Sequence, residues 1–310
     1  MATTTSRTGV TSGGSSQIGN DPKNHWQYNP ATGIVDLVRK DSTCASPLTL
    51  NTATNPIRVD PATTALLIID MQNFFLSPAL GKPDPSPGLK AADMLLKTGI
   101  PAAREKAIRV VWVNWGLTDE EVESMPPGMM KAFGIYESVG GVNNKDNGPK
   151  KQRSHNVYKG LGADLGPIEL EDGTIIGAGR VLMRDTWNAA LYRPLDAEYR
   201  KGLERSTDPD VLIHKNRMSA LWGSGTDLEV FLKEEGITTL LFTGVNTDQC
   251  VGGTLTDAFS KGFDCVLLKD AAATSSPPCA TEAWEWNCAN TFGFVSWCGA
   301  LSGDEYAILD

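Results

Sequence analysis

The run Ala65-Leu-Leu-Ile-Ile69, closed by Asp70, constrains the fold most. Five apolar residues in a row, with no polar alternation, describe a strand covered on both faces, as in a parallel sheet. Comparable segments recur at Arg109–Val113, Val211–His214, Leu240–Thr243, Asp264–Leu268 and Phe292–Trp297. Helical patterns separate them. One begins near Pro101, a residue suited to a first helical turn. Thr226-Asp-Leu-Glu229 spells a capping box, with Gly236 placed to end its helix. A third helix runs from about Cys250 to Lys261 and stops at Gly262. Strands alternating with helices predict a doubly wound α/β fold with a mainly parallel sheet and helices on both faces. In such sheets the ligand crevice lies at the carboxyl ends of the strands.

The rest of the chain is read as additions to that core. Residues 1–24 form a polar arm, because Thr, Ser or Gly fills 13 of the first 20 positions. Residues 25–310 form a single domain. Within it Trp26, Tyr28, Ile34, Val35, Leu37 and Val38 are expected to pack against the body. The interval 116–200 breaks the strand–helix rhythm. It carries Pro126-Pro-Gly128, Asn143-Asn-Lys-Asp-Asn147 and the turn pair Asp172-Gly173 between Leu170 and Ile175-Ile176. This reads as a long excursion with a short hairpin. Gly223-Ser-Gly225 reads as a turn and the basic run Lys150-Lys-Gln-Arg153 as a solvated loop.

Composition narrows the chemistry. A net charge of −9 argues against nucleic acid or an anionic membrane surface as partner, and no apolar run is long enough to span a bilayer. There are only three histidines, His25, His155 and His214, so neither a His-rich zinc site nor a His-based triad is supported. No metal and no cofactor are expected. The six cysteines show no C-x-x-C and read as free thiols of a cytoplasmic protein.

Three strand ends carry reactive side chains: Asp70, Lys215 and Cys250. A sheet that brings them to one edge makes a nucleophile site without histidine. Asp70 can take the thiol proton, Lys215 can balance charge and Cys250 can attack. At the start of a helix, Cys250 is expected to have a lowered pKa through the positive end of the dipole. Cys265, Cys279, Cys288 and Cys298 read as structural. Asn73, Phe75, Trp115, Trp187 and Trp222 lie near the motif ends and are candidates to contact substrate.

The sequence resembles the isochorismatase-like cysteine hydrolases. The resemblance rests on Ala65-Leu-Leu-Ile-Ile-Asp-Met-Gln-Asn-Phe-Phe75, His214-Lys-Asn-Arg-Met-Ser-Ala220 and Thr243-Gly-Val-Asn-Thr-Asp-Gln-Cys-Val251. It implies a six-stranded parallel sheet, the triad Asp70–Lys215–Cys250 and a cis peptide at Val245–Asn246. The N–H groups of Asn246 and Cys250 then form an oxyanion hole. Nicotinamidases in this family carry a metal site after the second strand. The sequence Asn114-Trp-Gly-Leu-Thr118 has no histidine for it. The segment Arg184-Asp-Thr-Trp-Asn188 resembles the ureidoacrylate amidohydrolase branch, departing from it in Asn188, where an acidic residue is expected, and in Asn246, where a small one is.

The expectation is therefore a metal-independent cysteine amidohydrolase that cleaves a C–N bond of a small ureido, carbamoyl or amide substrate through a thioester. The resemblance also suggests a homo-oligomer. Two alternatives stand beside it: a vinyl ether hydrolase of isochorismatase type, and a non-catalytic binding protein on the same scaffold.

Overall fold

The computed structural model describes residues 15–134 and 157–304. The Asn143–Asn147 turn, the Lys150–Arg153 loop, His155 and the first 14 residues of the polar arm lie outside them. Five short strands come first: β1 (Ser16–Ile18), β2 (Trp26–Asn29), β3 (Ile34–Asp36), β4 (Leu48–Leu50) and β5 (Ile57–Val59). They form a small sheet in the order β1-β2-β3-β5-β4. The end of the expected arm is thus a strand, Ser16–Ile18 pairing with Trp26–Tyr28. Val35, Leu37, Trp26 and Tyr28 pack on the body as their apolar character leads one to expect. The sheet itself leaves no mark in the sequence, because three-residue strands carry too little periodicity to be read.

The core sheet is built from β6 (Thr64–Ile69) and β7 (Arg109–Trp115), then, after the hairpin β8 (Pro167–Glu169) and β9 (Ile175–Gly177), from β10 (Val211–Lys215), β11 (Thr239–Val245), β12 (Asp264–Ala273) and β13 (Phe294–Ser296). Its order is β10-β7-β6-β11-β12-β13, with every neighbouring pair parallel. All six residues of β6 and all seven of β11 are buried, in keeping with their largely apolar character. The chain winds outward from β6 through β7 to β10, then crosses back to lay β11 on the other side of β6. The connections after β6 and β11 therefore leave in opposite directions, which makes this the topological switch point where ligands of open α/β sheets bind.

Alternation divides the core into two faces. Leu67, Ile69, Val111, Val113, Trp115 and Phe242 look one way. Leu66, Ile68, Val110, Trp112 and Leu241 look the other. The second face is covered by the N-terminal sheet, through Val35, Leu37, Leu50, Ile57 and Val59, and by helical residues such as Ala91, Leu95 and Ala103. The first face is covered by the excursion, through Phe133, Val157, Leu161, Ala178 and Leu182.

Three local expectations change. The helix expected near Pro101 starts at Pro87, with Ser86 as N-cap, and Pro101 falls in its later part after a π-type turn at Leu95–Gly99. A proline cannot donate to the preceding turn, and a local change of helical pitch accommodates it. Thr226 caps its helix by accepting from Glu229 N, but the Glu229 carboxylate turns to Gly225 N and to Lys233, so the box is half formed. The excursion ends earlier than 200: Arg193–Leu203 is a crossover helix leading into β10, with Leu195 buried on the second face. The hairpin at Asp172-Gly173 is present, with Gly173 left-handed.

Candidate active site

The site assembles at the switch point. Asp70 follows β6 in a left-handed conformation (φ 55°), uncommon for a residue with a Cβ and found where surrounding structure enforces it. Its N–H donates to Val113 O at 2.8 Å, which fixes the turn against β7. The carboxylate is fully buried. Oδ1 accepts from Trp115 N at 3.2 Å, and Oδ2 meets Lys215 Nζ at 3.0 Å. Lys215 is the last residue of β10 and pairs in register with Trp115. Its ammonium lies 4.0 Å from the centre of the Trp115 ring and donates to Arg217 O at 3.1 Å. A buried lysine thus gains an anion, an aromatic face and a carbonyl to offset its lost hydration.

Cys250 enters from β11. Gly244 is left-handed, and a Cβ on it would meet Ile69 O at 2.0 Å, so only glycine lets β11 pass this close to β6. The Val245–Asn246 peptide is cis, as the resemblance implies. A π-type turn, Thr247–Val251, carries Cys250 and runs into the helix Gly252–Ser260. Cys250 is buried, and its thiol donates to the Met218 thioether, Sγ–Sδ 3.2 Å.

The electrostatics correct one expectation. The Cys250 thiol is not acidified by a helix terminus. Burial and the Asp70 carboxylate push it up to about 12, with Lys215 and Trp115 pulling the other way. Burial also raises Asp70 above the usual carboxylate range, against the Lys215 charge, the Cys250 thiol and the Trp115 amide. In the resting site the proton stays on sulfur, beside a carboxylate made more basic than usual. That arrangement can move a proton from thiol to carboxylate once a bound group stabilises the thiolate or consumes it.

Of the candidate contacts, Trp115 is fully buried against Lys215, with its indole beside the Cys250 thiol. Asn73 is buried and donates to Trp187 O at 2.8 Å, tying the turn after Asp70 to the excursion. Phe75 and Trp187 are partly buried against the first-face core. Trp222 differs: it is 53% exposed, stacks under Arg217 and donates to Asn216 Oδ1, and no described contact joins it to Asp70, Lys215 or Cys250. Asn188 is occupied structurally. It accepts from Leu182 N and donates to Ala178 O, Arg180 O and Thr186 Oγ1, which shapes the excursion.

The sequence analysis passed over Gln72, Met218, Phe74, Phe133 and Tyr158. Gln72 Nε2 donates to Trp115 O at 2.7 Å and Ala189 O at 2.6 Å, while its Oε1 accepts from Trp115 N. It therefore pins both strand end and excursion to the Asp70 turn. Phe74 packs edge-on against Tyr158, and Trp115 edge-on against Phe133. Gln72 and Phe74 stood beside Asp70 in the sequence, so proximity to the motif was their available signal. Phe133 and Tyr158 had none, since only the excursion's path brings them in. Among the other cysteines, burial raises Cys265, Cys288 and Cys298, in keeping with structural thiols, whereas Cys279 is exposed. Among the described residues no group of three or more His, Cys, Asp or Glu is placed to hold a metal, and no helix is long and apolar enough to cross a membrane.

Comparison with known proteins agrees with this architecture. Residues 178–295 match the family model of the isochorismatase domain. Ureidoacrylate amidohydrolase RutB of Methylorubrum extorquens is 29% identical over 266 residues, covering 83% of this chain and 90% of the relative. The protein of that name from Caulobacter vibrioides is 29% identical over 245 residues, covering 78% and 90%. Among solved structures, a cysteine hydrolase from Pseudomonas syringae pv. phaseolicola superposes with a TM-score of 0.51 at 16% identity, covering 84% of this chain and 99% of that one. Nicotinamidase PncA from Bacillus subtilis gives 0.50 at 23% identity, covering 76% and 99%. At such identities the structures speak for the fold alone. The all-parallel six-stranded sheet is the isochorismatase-like fold that these solved structures share, and residues 178–295 are similar to the isochorismatase domain. Two curated proteins to which the chain is similar over most of its length bear the name ureidoacrylate amidohydrolase, the branch its motifs resemble.

Proposed function

We propose that the chain is a cysteine amidohydrolase that cleaves a C–N bond of a small ureido, carbamoyl or amide substrate through a thioester on Cys250. The observation that carries the reading is the convergence of Asp70, Lys215 and Cys250 in one buried site at the switch point, with Lys215 Nζ 3.0 Å from Asp70. The names of the curated relatives support the substrate class.

In this reading Asp70 takes the Cys250 proton as the sulfur attacks the substrate carbonyl. A C–S bond forms and the carbonyl electron pair moves to oxygen, where the Asn246 and Cys250 N–H groups receive it. The C–N bond then breaks, and ammonia or an amine leaves with the proton held by Asp70. Water next gives a proton to Asp70 and its hydroxyl to the thioester carbon. The acid is released, and the sulfur recovers its proton from Asp70. Lys215 keeps the carboxylate oriented and offsets its charge through the cycle. No step requires a metal.

A substrate panel tests the reading. N-carbamoyl and ureido acids should release ammonia in amounts matching substrate lost, and Cys250→Ala should not. Pyruvate release from isochorismate, with no ammonia from any carbamoyl or amide compound, would replace this reading with vinyl ether hydrolysis.

A further inference from the structure

The thiol that would attack is capped. Cys250 Sγ and Met218 Sδ are 3.2 Å apart, so nothing can lie between the two sulfurs. A carbonyl carbon must come within about 3–3.5 Å of the nucleophile to react, and with Cys250 only 3% exposed there is little free surface on which to do so. The backbone around Met218 is fixed. Arg217 O accepts from Lys215, Leu221 N donates to Ser219 Oγ, and Ala220 N donates to Thr254 Oγ1 on the helix that follows Cys250. The movable part is the Met218 side chain, which is unbranched with three rotatable bonds. It packs beside Gly253, where a Cβ would lie 3.9 Å from Met218 Cγ, so the wall behind it is smooth.

We propose that Met218 is the gate and the specificity-determining residue of this site. Its thioether accepts the thiol proton at rest and is displaced by the acyl part of the substrate. A thioether has lone pairs and no proton to give, so it accepts from a neutral thiol and offers nothing to a thiolate. Holding the thiol against Met218 favours the protonated, resting form. Displacing the thioether leaves Asp70 as the remaining acceptor for that proton. Access and activation are then one event, and the room that Met218 vacates sets the width of acyl group accepted. The proposal rests on Cys250 being the nucleophile.

The test is the rate at which iodoacetamide labels Cys250, followed by peptide mass, together with kcat/KM over carbamoyl and amide substrates of increasing acyl bulk. Met218→Ala should speed labelling about tenfold and raise kcat/KM for the bulkiest substrate relative to the smallest. Met218→Leu keeps the volume and removes the acceptor. It should label slowly but reach half-maximal labelling at lower pH than the unchanged protein. An Ala variant within twofold of the unchanged protein in labelling, with the same substrate order, overturns the gate. A Leu variant with an unmoved pH midpoint overturns the thioether's role as acceptor. Cys250→Ala, run beside them, separates the two failures. If it retains activity, the nucleophile reading is lost. If it is inactive while the Met218 variants behave as the unchanged protein, the gate alone is lost.

Discussion

Asp70 and Asp264 are both buried carboxylates of the same parallel sheet, one past the carboxyl end of β6 and the other at the amino end of β12. Burial raises both above the usual carboxylate range. Their surroundings differ in kind. Asp264 accepts from Trp26 Nε1 at 2.7 Å, Arg39 Nη2 at 2.9 Å and Thr239 Oγ1 at 3.0 Å, all fixed side chains, two of them from the N-terminal segment. It is a clasp that holds that segment to the sheet. Asp70 has one cation, one amide and a thiol able to give up a proton. A network with every partner in place stabilises the fold; one with an exchangeable proton is free to do chemistry.

The largest expected effect breaks the comparison at Asp70. Asp70→Asn should lower kcat about 10³-fold or more with the circular dichroism spectrum unchanged, whereas Asp264→Asn should leave kcat of the folded protein within twofold. The pH profile sharpens the same contrast. Because Asp70 is raised, kcat/KM should climb with pH through a midpoint above the ordinary carboxylate range, as the base loses its proton. A midpoint inside that range would remove Asp70 from the role of base. Asp264→Ala strips Arg39 of its buried partner and should cost about 3 kcal/mol in urea unfolding. Asn188→Ala, which loses four hydrogen bonds inside the excursion, should cost about 2 kcal/mol and weaken substrate binding rather than kcat. Trp26→Phe should cost about 1 kcal/mol and leave kinetics unchanged, since only one bond of the clasp is lost.

Much of this was legible from the chain alone. Buried parallel strands announce themselves as unbroken apolar runs, so β6, β11 and the start of β12 were found, and with them the strand ends where Asp70 and Cys250 sit. Lys215 was found in the same way, as the residue ending an apolar strand. Trp115 was placed near the site by its position at the carboxyl end of β7. What escaped has a physical pattern. The pKa of Cys250 was misjudged because a helix dipole acts locally and is visible in sequence, whereas burial and the approach of Asp70 are tertiary. Met218 was passed over because a methionine, even inside a motif, looks like any core residue until its sulfur is seen against the thiol. The clasp at Asp264 joins residues 238 and 225 positions apart, and nothing local marks such a pairing. Asn188 looked like a substituted functional residue, but its four hydrogen bonds to backbone and hydroxyl partners in the excursion explain it.

The central claim is that Cys250 carries the acyl group. Acid-quenching the protein during turnover of an N-carbamoyl acid, followed by peptide mass mapping, examines it directly. A mass increase equal to the substrate's acyl part, confined to the peptide bearing Cys250 and absent in Cys250→Ala, is the result expected. Undiminished ammonia release by Cys250→Ala, with no acylated peptide in either protein, would contradict it.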